Sequence, residues 1–222
     1  MAKRLRDDAI LVVGLGRFGG ALAETLERYG REVLAVEDDA GLVQQWSGRV
    51  THVVQADATN ELAMRQVGAA DFDIGVIAIG THIEQSVLAT SVLVDIGVEE
   101  IWAKAISGPH ARILERVGAR HVVRPEHETG QRVAHLLSGK IIDFIEFDDG
   151  FAIVKIKAPR ETFGKTLAES AMRRRYGVTI VGVKTQGQDF TYAQADTVVS
   201  AGDLLIVAGR TERVEKFAAE TG

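Results

Sequence analysis

Residues 9–39 read AILVVGLGRFGGALAETLERYGREVLAVEDD. An apolar run over 9–13 meets a glycine cluster, Gly14 to Gly20. Apolar residues at helical spacing follow over 21–29, and Gly30 closes that stretch as a glycine past a helix end does. A second apolar run, 33–36, ends in Glu37, Asp38 and Asp39. Gly14, Gly16 and Gly19 fit G-x-G-x-x-G, a weak match alone but informative between a strand and a helix. The first glycine permits the tight turn, the second lets a pyrophosphate approach the backbone, and the third brings helix and strand close. Amide N–H groups of the helix start, around Leu15, Arg17 and Phe18, would then face phosphate, aided by the helix dipole. Glu37 stands 18 residues after Gly19, near the spacing at which an acid accepts hydrogen bonds from ribose hydroxyls. A carboxylate there would also repel a 2′-phosphate, which disfavours NADP. Without a ligand, Glu37, Asp38 and Asp39 would simply open a loop.

Working outward, strand and helix patterns keep alternating. Strands are expected at 50–55, 74–79, 101–105 and 121–124, and helices at 42–46, 61–67, 83–96 and 111–117. Six strands alternating with helices predict an α/β fold with a Rossmann-like, doubly wound parallel sheet. Right-handed crossovers favour the order 3-2-1-4-5-6. Ligands of such sheets bind outside the carboxyl ends of the strands. The loops there read Asp57-Ala58-Thr59, Ala78-Ile79-Gly80 and Ala103-Lys104-Ala105. Asp57 reads equally as an acceptor for adenine or ribose and as a helix N-cap. Lys104 reads as a point charge for phosphate or as a rim lysine. Arg17, inside the glycine turn, could fork onto a terminal phosphate. A dinucleotide has none, so Arg17 leans toward ADP or ATP.

After a further helix at 128–137, closed by Ser138-Gly139, the rhythm changes. Residues 141–147 lead to the turn Asp148-Asp149-Gly150, and 151–157 alternate with period two. Short strands are expected at 178–184, 196–199 and 204–208, and a helix at 213–219. The boundary is placed near 140–148, giving domains 1–140 and 141–222. The second is a small C-terminal α+β unit, small enough to need a partner surface. Phe144, Ile145 and Phe147 near the boundary could pack onto a second copy of the chain or into their own core.

Bulk numbers narrow the function. The 222-residue chain is 46% hydrophobic with 3 prolines and no cysteine, which fits a globular protein without disulfides or thiolate metal sites. No apolar window approaches about 18 residues, so no bilayer-spanning helix is expected. The opening MAKRLRDD shows no signal-peptide core. Residues 1–140 carry 15 basic and 19 acidic side chains, and 141–222 carry 11 and 12. That balance argues against nucleic acid as a partner. Arg173-Arg174-Arg175, the one dense basic run, reads first as a solvated helix face.

Catalytic patterns are absent. The tyrosines Tyr29, Tyr176 and Tyr192 have no lysine four residues on. Gly164-Lys165-Thr166 imitates the end of a P-loop, but Pro159 holds the place of its first glycine, so it reads as a turn. Neither G-x-S-x-G nor His-Glu-x-x-His occurs. His127 and His135 lack metal-ligand spacing and read as surface or packing residues. His82 is the histidine nearest the expected crevice. A nucleotide site without catalytic apparatus implies binding that shifts a conformation. A small NAD-dependent oxidoreductase is the alternative, and a nucleotide-responsive DNA-binding regulator is disfavoured by the acidic balance.

Several stretches together resemble the RCK (TrkA-N) domain: Gly14–Gly20 with Phe18, Leu34-Ala-Val-Glu37, Ala56-Asp57-Ala-Thr59, Val76-Ile-Ala-Ile-Gly80, Ile101-Trp-Ala-Lys104-Ala and Gly118-Ala with Pro125-Glu126 and Gly130. Gly164-Lys-Thr-Leu, Arg174-Arg-Tyr-Gly-Val-Thr-Ile and Ala201-Gly-Asp203-Leu-Leu-Ile-Val-Ala-Gly209 resemble its companion, TrkA-C. The resemblance covers nearly all of residues 8–218 and is similar to the cytosolic gating subunit of bacterial Ktr potassium-uptake systems. It implies a non-enzymatic regulatory subunit: dimers assembled into an octameric ring beneath a membrane potassium-translocating subunit, on the cytoplasmic face of the cell membrane. ATP and ADP would compete for the glycine site, with NAD(H) bound in some members.

Carried over, Gly14, Leu15, Gly16, Arg17, Phe18 and Gly19 meet the phosphates, and Glu37 with Asp38 meets ribose. Asp57, Ala58 and Thr59 flank adenosine, Ala78, Ile79 and Gly80 wall the crevice, and Lys104 contacts phosphate. The resemblance places Glu126 as a ligand to a divalent cation, Mg²⁺ or Ca²⁺, near the ATP phosphates. From charge alone Glu126 reads as a surface residue. His82 stands where asparagine is common in the family. Some relatives bind cyclic di-AMP in the C-terminal domain, in the region of Arg173–Arg175 and residues 178–180.

Overall fold

A computed structural model describes residues 9–137, 141–147 and 149–221. The chain divides into two compact units between Glu126 and His127. The first runs β1 (Ala9–Val13), α1 (Arg17–Arg28), β2 (Glu32–Glu37), α2 (Ala40–Trp46), β3 (His52–Gln55), α3 (Glu61–Gln66), β4 (Ile74–Ile77), α4 (Ile83–Asp95), β5 (Glu100–Lys104), α5 (Gly108–Val117) and β6 (His121–Val123). All six strands are parallel, in the order β3-β2-β1-β4-β5-β6. The chain reverses its direction of travel across the sheet between β1 and β4, so the crevice expected there lies over the ends of β1, β2 and β4.

Alternation along each strand feeds a core on either face. Leu11 and Val13 join Phe72, Ile77, Leu93, Ile101 and Leu114 on one side. Val12 joins Leu15, Ala23, Val33 and Trp46 on the other. Helix starts are set by side-chain caps. Asp39 Oδ1 accepts from Leu42 N–H (2.9 Å), Asn60 Oδ1 from Ala63 N–H (3.1 Å), and Ser107 Oγ from His110 N–H (3.2 Å). The cap of α3 is therefore Asn60, and Asp57 does not cap that helix.

The second unit begins within α6 (Pro125–Leu137) and continues β7 (Ile141–Phe147), β8 (Phe151–Lys157), α7 (Leu167–Ser170), α8 (Met172–Tyr176), β9 (Thr179–Lys184), β10 (Thr191–Tyr192), β11 (Leu204–Arg210) and α9 (Thr211–Thr221). Its antiparallel sheet has the order β10-β9-β11-β8-β7. Ala152, Val154 and Ile156 of β8 face a core shared with Phe144, Leu205, Val207, Val214 and Phe217. Phe144 is thus a core residue, while Ile145 and Phe147 are exposed. His135 packs, stacking on the Phe144 ring at 4.0 Å.

Two expectations change here. Residues 196–199 form no strand: Val198 and Val199 make single bridges to Thr166 and Phe163, because Thr197 is turned back onto Gln194. The strand at the sheet edge beside β9 is the short β10. Helices α7 and α8 were not expected, although Thr166 and Glu169 form a capping box that starts α7. Gly164 sits in a turn with φ +70°, and Arg173, Arg174 and Arg175 lie exposed on α8. Asp148, Ser138-Gly139 and MAKRLRDD fall outside the described residues.

Candidate functional site

A cleft of about 660 Å³ opens at the carboxyl ends of the strands in the first unit. Its floor is the glycine turn. Gly14 follows β1 with φ +92°, and its N–H donates to the Val36 carbonyl (2.8 Å), tying the turn to β2. A Cβ on Gly19 would run into the Gly14 carbonyl oxygen, so this glycine is what lets α1 start against β1. Gly16 behaves differently: a Cβ there would meet no protein atom within 4 Å, and its φ of −62° needs no glycine. Its open face belongs to the cleft. The first turn of α1 contains no acid, leaving the N–H groups of that turn unopposed for an anion.

One wall is built from backbone. Glu37, at the end of β2, is 7% exposed. Its Oε2 accepts from the Leu15 N–H (2.6 Å) and its Oε1 from the Asp38 and Asp39 N–H groups (3.0 and 3.1 Å). Three backbone donors fix the carboxylate in place and fold the glycine turn onto β2. Asp57 Oδ1 accepts from the N–H and hydroxyl of Thr59 (2.8 and 2.7 Å), shaping the loop after β3.

The opposite wall is built from side chains. Lys104 ends β5 with its side chain 11% exposed, and its Nζ lies 2.6 Å from Glu126 Oε1. Glu126, the second residue of α6, has a side chain 64% exposed. The Lys104 hydrogen bond, a backbone hydrogen bond and the nearby charges of Lys104 and Arg17 hold the Glu126 carboxyl below the usual carboxylate range. The Lys104 stem lies along Gly80, where a Cβ would come within 3.0 Å of Nζ. The ammonium sits 5.7 Å from the centroid of the Phe18 ring.

Of the sequence-predicted contacts, the cleft is lined by Gly14, Gly16, Arg17, Phe18, Glu37, Asp38, Asp57, Ala58, Thr59, Ala78, Ile79, Gly80, Lys104 and Glu126. Leu15 and Gly19 stand behind it: Leu15 turns its side chain into the core and offers only its N–H to Glu37. Sequence reasoning did not place Val13, Val36, Asp39, Leu42, Ala56, Thr81, Gln85 and Ile106, which also line the cleft, together with His82. Val13, Val36, Asp39, Ala56 and Ile106 lie within two residues of a strand's carboxyl end, a signal that could have found them, whereas Thr81, Leu42 and Gln85 carry none. Behind Ile106, the buried His110 accepts the Ile106 N–H on Nδ1 (3.3 Å). Burial lowers its pKa, which favours the neutral ring.

The sequence matches the TrkA-N domain over residues 10–125 and the TrkA-C domain over 151–222. This chain belongs to the TrkA-N/TrkA-C (RCK) family. The cleft lies in its TrkA-N unit. Among relatives, the Ktr system potassium uptake protein C of Bacillus subtilis is 34% identical over 93% of this chain and 94% of its own length. The Ktr system potassium uptake protein A of Vibrio alginolyticus is 32% identical over 94% and 95%. The solved RCK domain of GsuK superposes with a TM-score of 0.69 at 21% identity, covering all of this chain and 49% of that one. GsuK has also been solved bound to NAD and bound to ADP. At this identity the likeness speaks for the TrkA-N/TrkA-C fold alone.

Proposed function

We propose that this chain is a nucleotide-sensing, non-catalytic regulatory subunit of a potassium uptake system. It would take ATP or ADP, alternatively NAD(H), in the TrkA-N cleft and pass the ligand state on as a conformational change. The observation that carries the reading is one cleft with two unlike walls: a glycine turn with Gly16 open beside the buried Glu37, facing Arg17 and Lys104. The first wall suits ribose and the start of a phosphate chain. The second suits the charge at its end. The Ktr names of the relatives point to potassium uptake, and the NAD and ADP held by GsuK point to an adenine nucleotide.

The remaining assignments follow the same reading. The membrane partner is a potassium-translocating subunit, and the site of action is the cytoplasmic face of the membrane. Among the described residues no helix is long and apolar enough to cross a bilayer. The assembly is a ring of dimers, eight chains in all, with residues 1–140 and 141–222 as its two domains. Glu126 would offer Mg²⁺ or Ca²⁺ one carboxylate. Among the described residues no three acidic or histidine side chains group into a cation site, so the other oxygens would come from phosphate. Cyclic di-AMP is a separate proposal for the TrkA-C unit, where Arg173 Nε donates to Thr179 Oγ1 (3.2 Å).

Gating requires ATP and ADP to differ in affinity between two assembly states by about 1–3 kcal/mol. Light scattering with ATP, ADP and NADH added separately tests this. The reading expects a large homo-oligomer whose scattering profile differs between ATP and ADP. Identical profiles, or steady NADH oxidation with a panel of simple carbonyl compounds, would favour the oxidoreductase alternative.

A further inference from the structure

Lys104 and Glu126 form an unequal pair. The lysine side chain is nearly enclosed, with its stem against Gly80 and its head near Phe18, whereas the glutamate side chain is mostly exposed. An enclosed lysine is stabilised by an anionic partner, because its surroundings solvate the charge less well than water does. An exposed carboxylate loses little on release, because water solvates it at once. Lys104 is therefore held in the cleft awaiting an anion, and Glu126 is the cheap anion that keeps its place. Glu37 is its opposite, buried and anchored by three backbone N–H groups.

Resting on the reading of the cleft as a nucleotide site, we propose that Glu126 is a built-in competitor for the ligand's phosphate at Lys104. A ligand with phosphate at this end takes the ammonium and releases the carboxylate; a ligand without it leaves the pair closed. Two consequences follow. Glu126 lowers the affinity of the site for phosphate-bearing ligands, which makes the far wall a selector for charge rather than for adenosine. The release also frees the second residue of α6, the helix that leads out of the TrkA-N unit, so the exchange converts a phosphate contact into a change at the start of that helix.

The test is the affinity of ADP measured by calorimetry in EDTA, so that no divalent cation can use Glu126. Wild type, Glu126→Gln, Lys104→Met and the double variant form a cycle. The expected result is that E126Q binds ADP about three- to tenfold more tightly than wild type. K104M weakens binding, and adding E126Q to K104M changes nothing further. Unchanged or weaker ADP binding by E126Q overturns the proposal while leaving the nucleotide site standing, as does an equal tightening in the K104M background, which would mean a general field effect. Glu126→Ala repeats the decisive arm without an amide. Failure of wild type to bind ADP, ATP or NADH overturns the reading of the cleft and the competitor with it.

Discussion

Two glutamates face the same cleft from opposite walls. Glu37 is buried at the end of a central strand and accepts three hydrogen bonds, all from backbone. Glu126 is exposed and held by Lys104 and a backbone hydrogen bond. A carboxylate built into the backbone cannot move without unfolding the turn around it. A carboxylate held by a lysine side chain can trade that partner for another at small cost. On the proposed function, the wall over β1 and β2 is a fixture that gives the cleft its shape, and the wall over β5 and α6 is where a ligand would act on the protein.

The contrast is broken most forcefully at the fixture. Gly19→Ala forces a methyl group into the Gly14 carbonyl and should destabilise the chain by about 3 kcal/mol, seen as a lower melting temperature with nucleotide binding lost. Glu37→Gln puts amide hydrogens against backbone donors and should cost about 2 kcal/mol. In the same melts Glu126→Gln should cost about 1 kcal/mol, matching the gain in ADP binding expected from losing the same pair. Equal costs for the two glutamine variants would erase the distinction between the walls. Arg17→Ala should leave the melt unchanged and weaken ATP binding several-fold more than ADP binding; equal losses by calorimetry would remove Arg17 from any role at the terminal phosphate.

The smallest effect sharpens the comparison from behind. His110 holds the Ile106 N–H with a neutral Nδ1, and burial keeps its folded-state pKa below the free value of about 6.5. In the unfolded chain it protonates first as the pH falls. Its contribution to stability is full above about pH 6.5 and is lost as pH drops through the lower folded value. Unfolding free energies from urea melts at pH 7 and pH 5 should therefore differ more in wild type than in His110→Gln, by about 1 kcal/mol or less.

The fixed wall was legible in the sequence for the same reason it is fixed. A glycine turn and a strand-end acid are backbone solutions, and backbone solutions leave local spacing: Gly14, Gly16 and Gly19, then Glu37. The parallel order of the sheet followed from alternation and handedness. The responsive wall left no such trace. Lys104 and Glu126 are 22 positions apart, on different elements, and the pairing depends on Gly80 leaving room for the lysine stem. Charge alone made Glu126 a surface residue, and in exposure it is one. Strand 196–199 failed because alternation over four residues cannot tell a paired strand from an extended segment with single bridges. Leu15 shows the limit inside a motif, since its N–H serves the site while its side chain serves the core.

Gly16 offers the most direct measurement. A valine there would meet no protein atom within 4 Å of its Cβ and sits at an ordinary φ, yet its side chain would occupy the floor that the proposed function assigns to phosphate. The account predicts that Gly16→Val, which loses the glycine N-cap of α1, costs about 1 kcal/mol and melts within a few degrees of wild type, and that it loses calorimetric binding of ADP and ATP. Nucleotide binding that survives in Gly16→Val with the fold intact would contradict it.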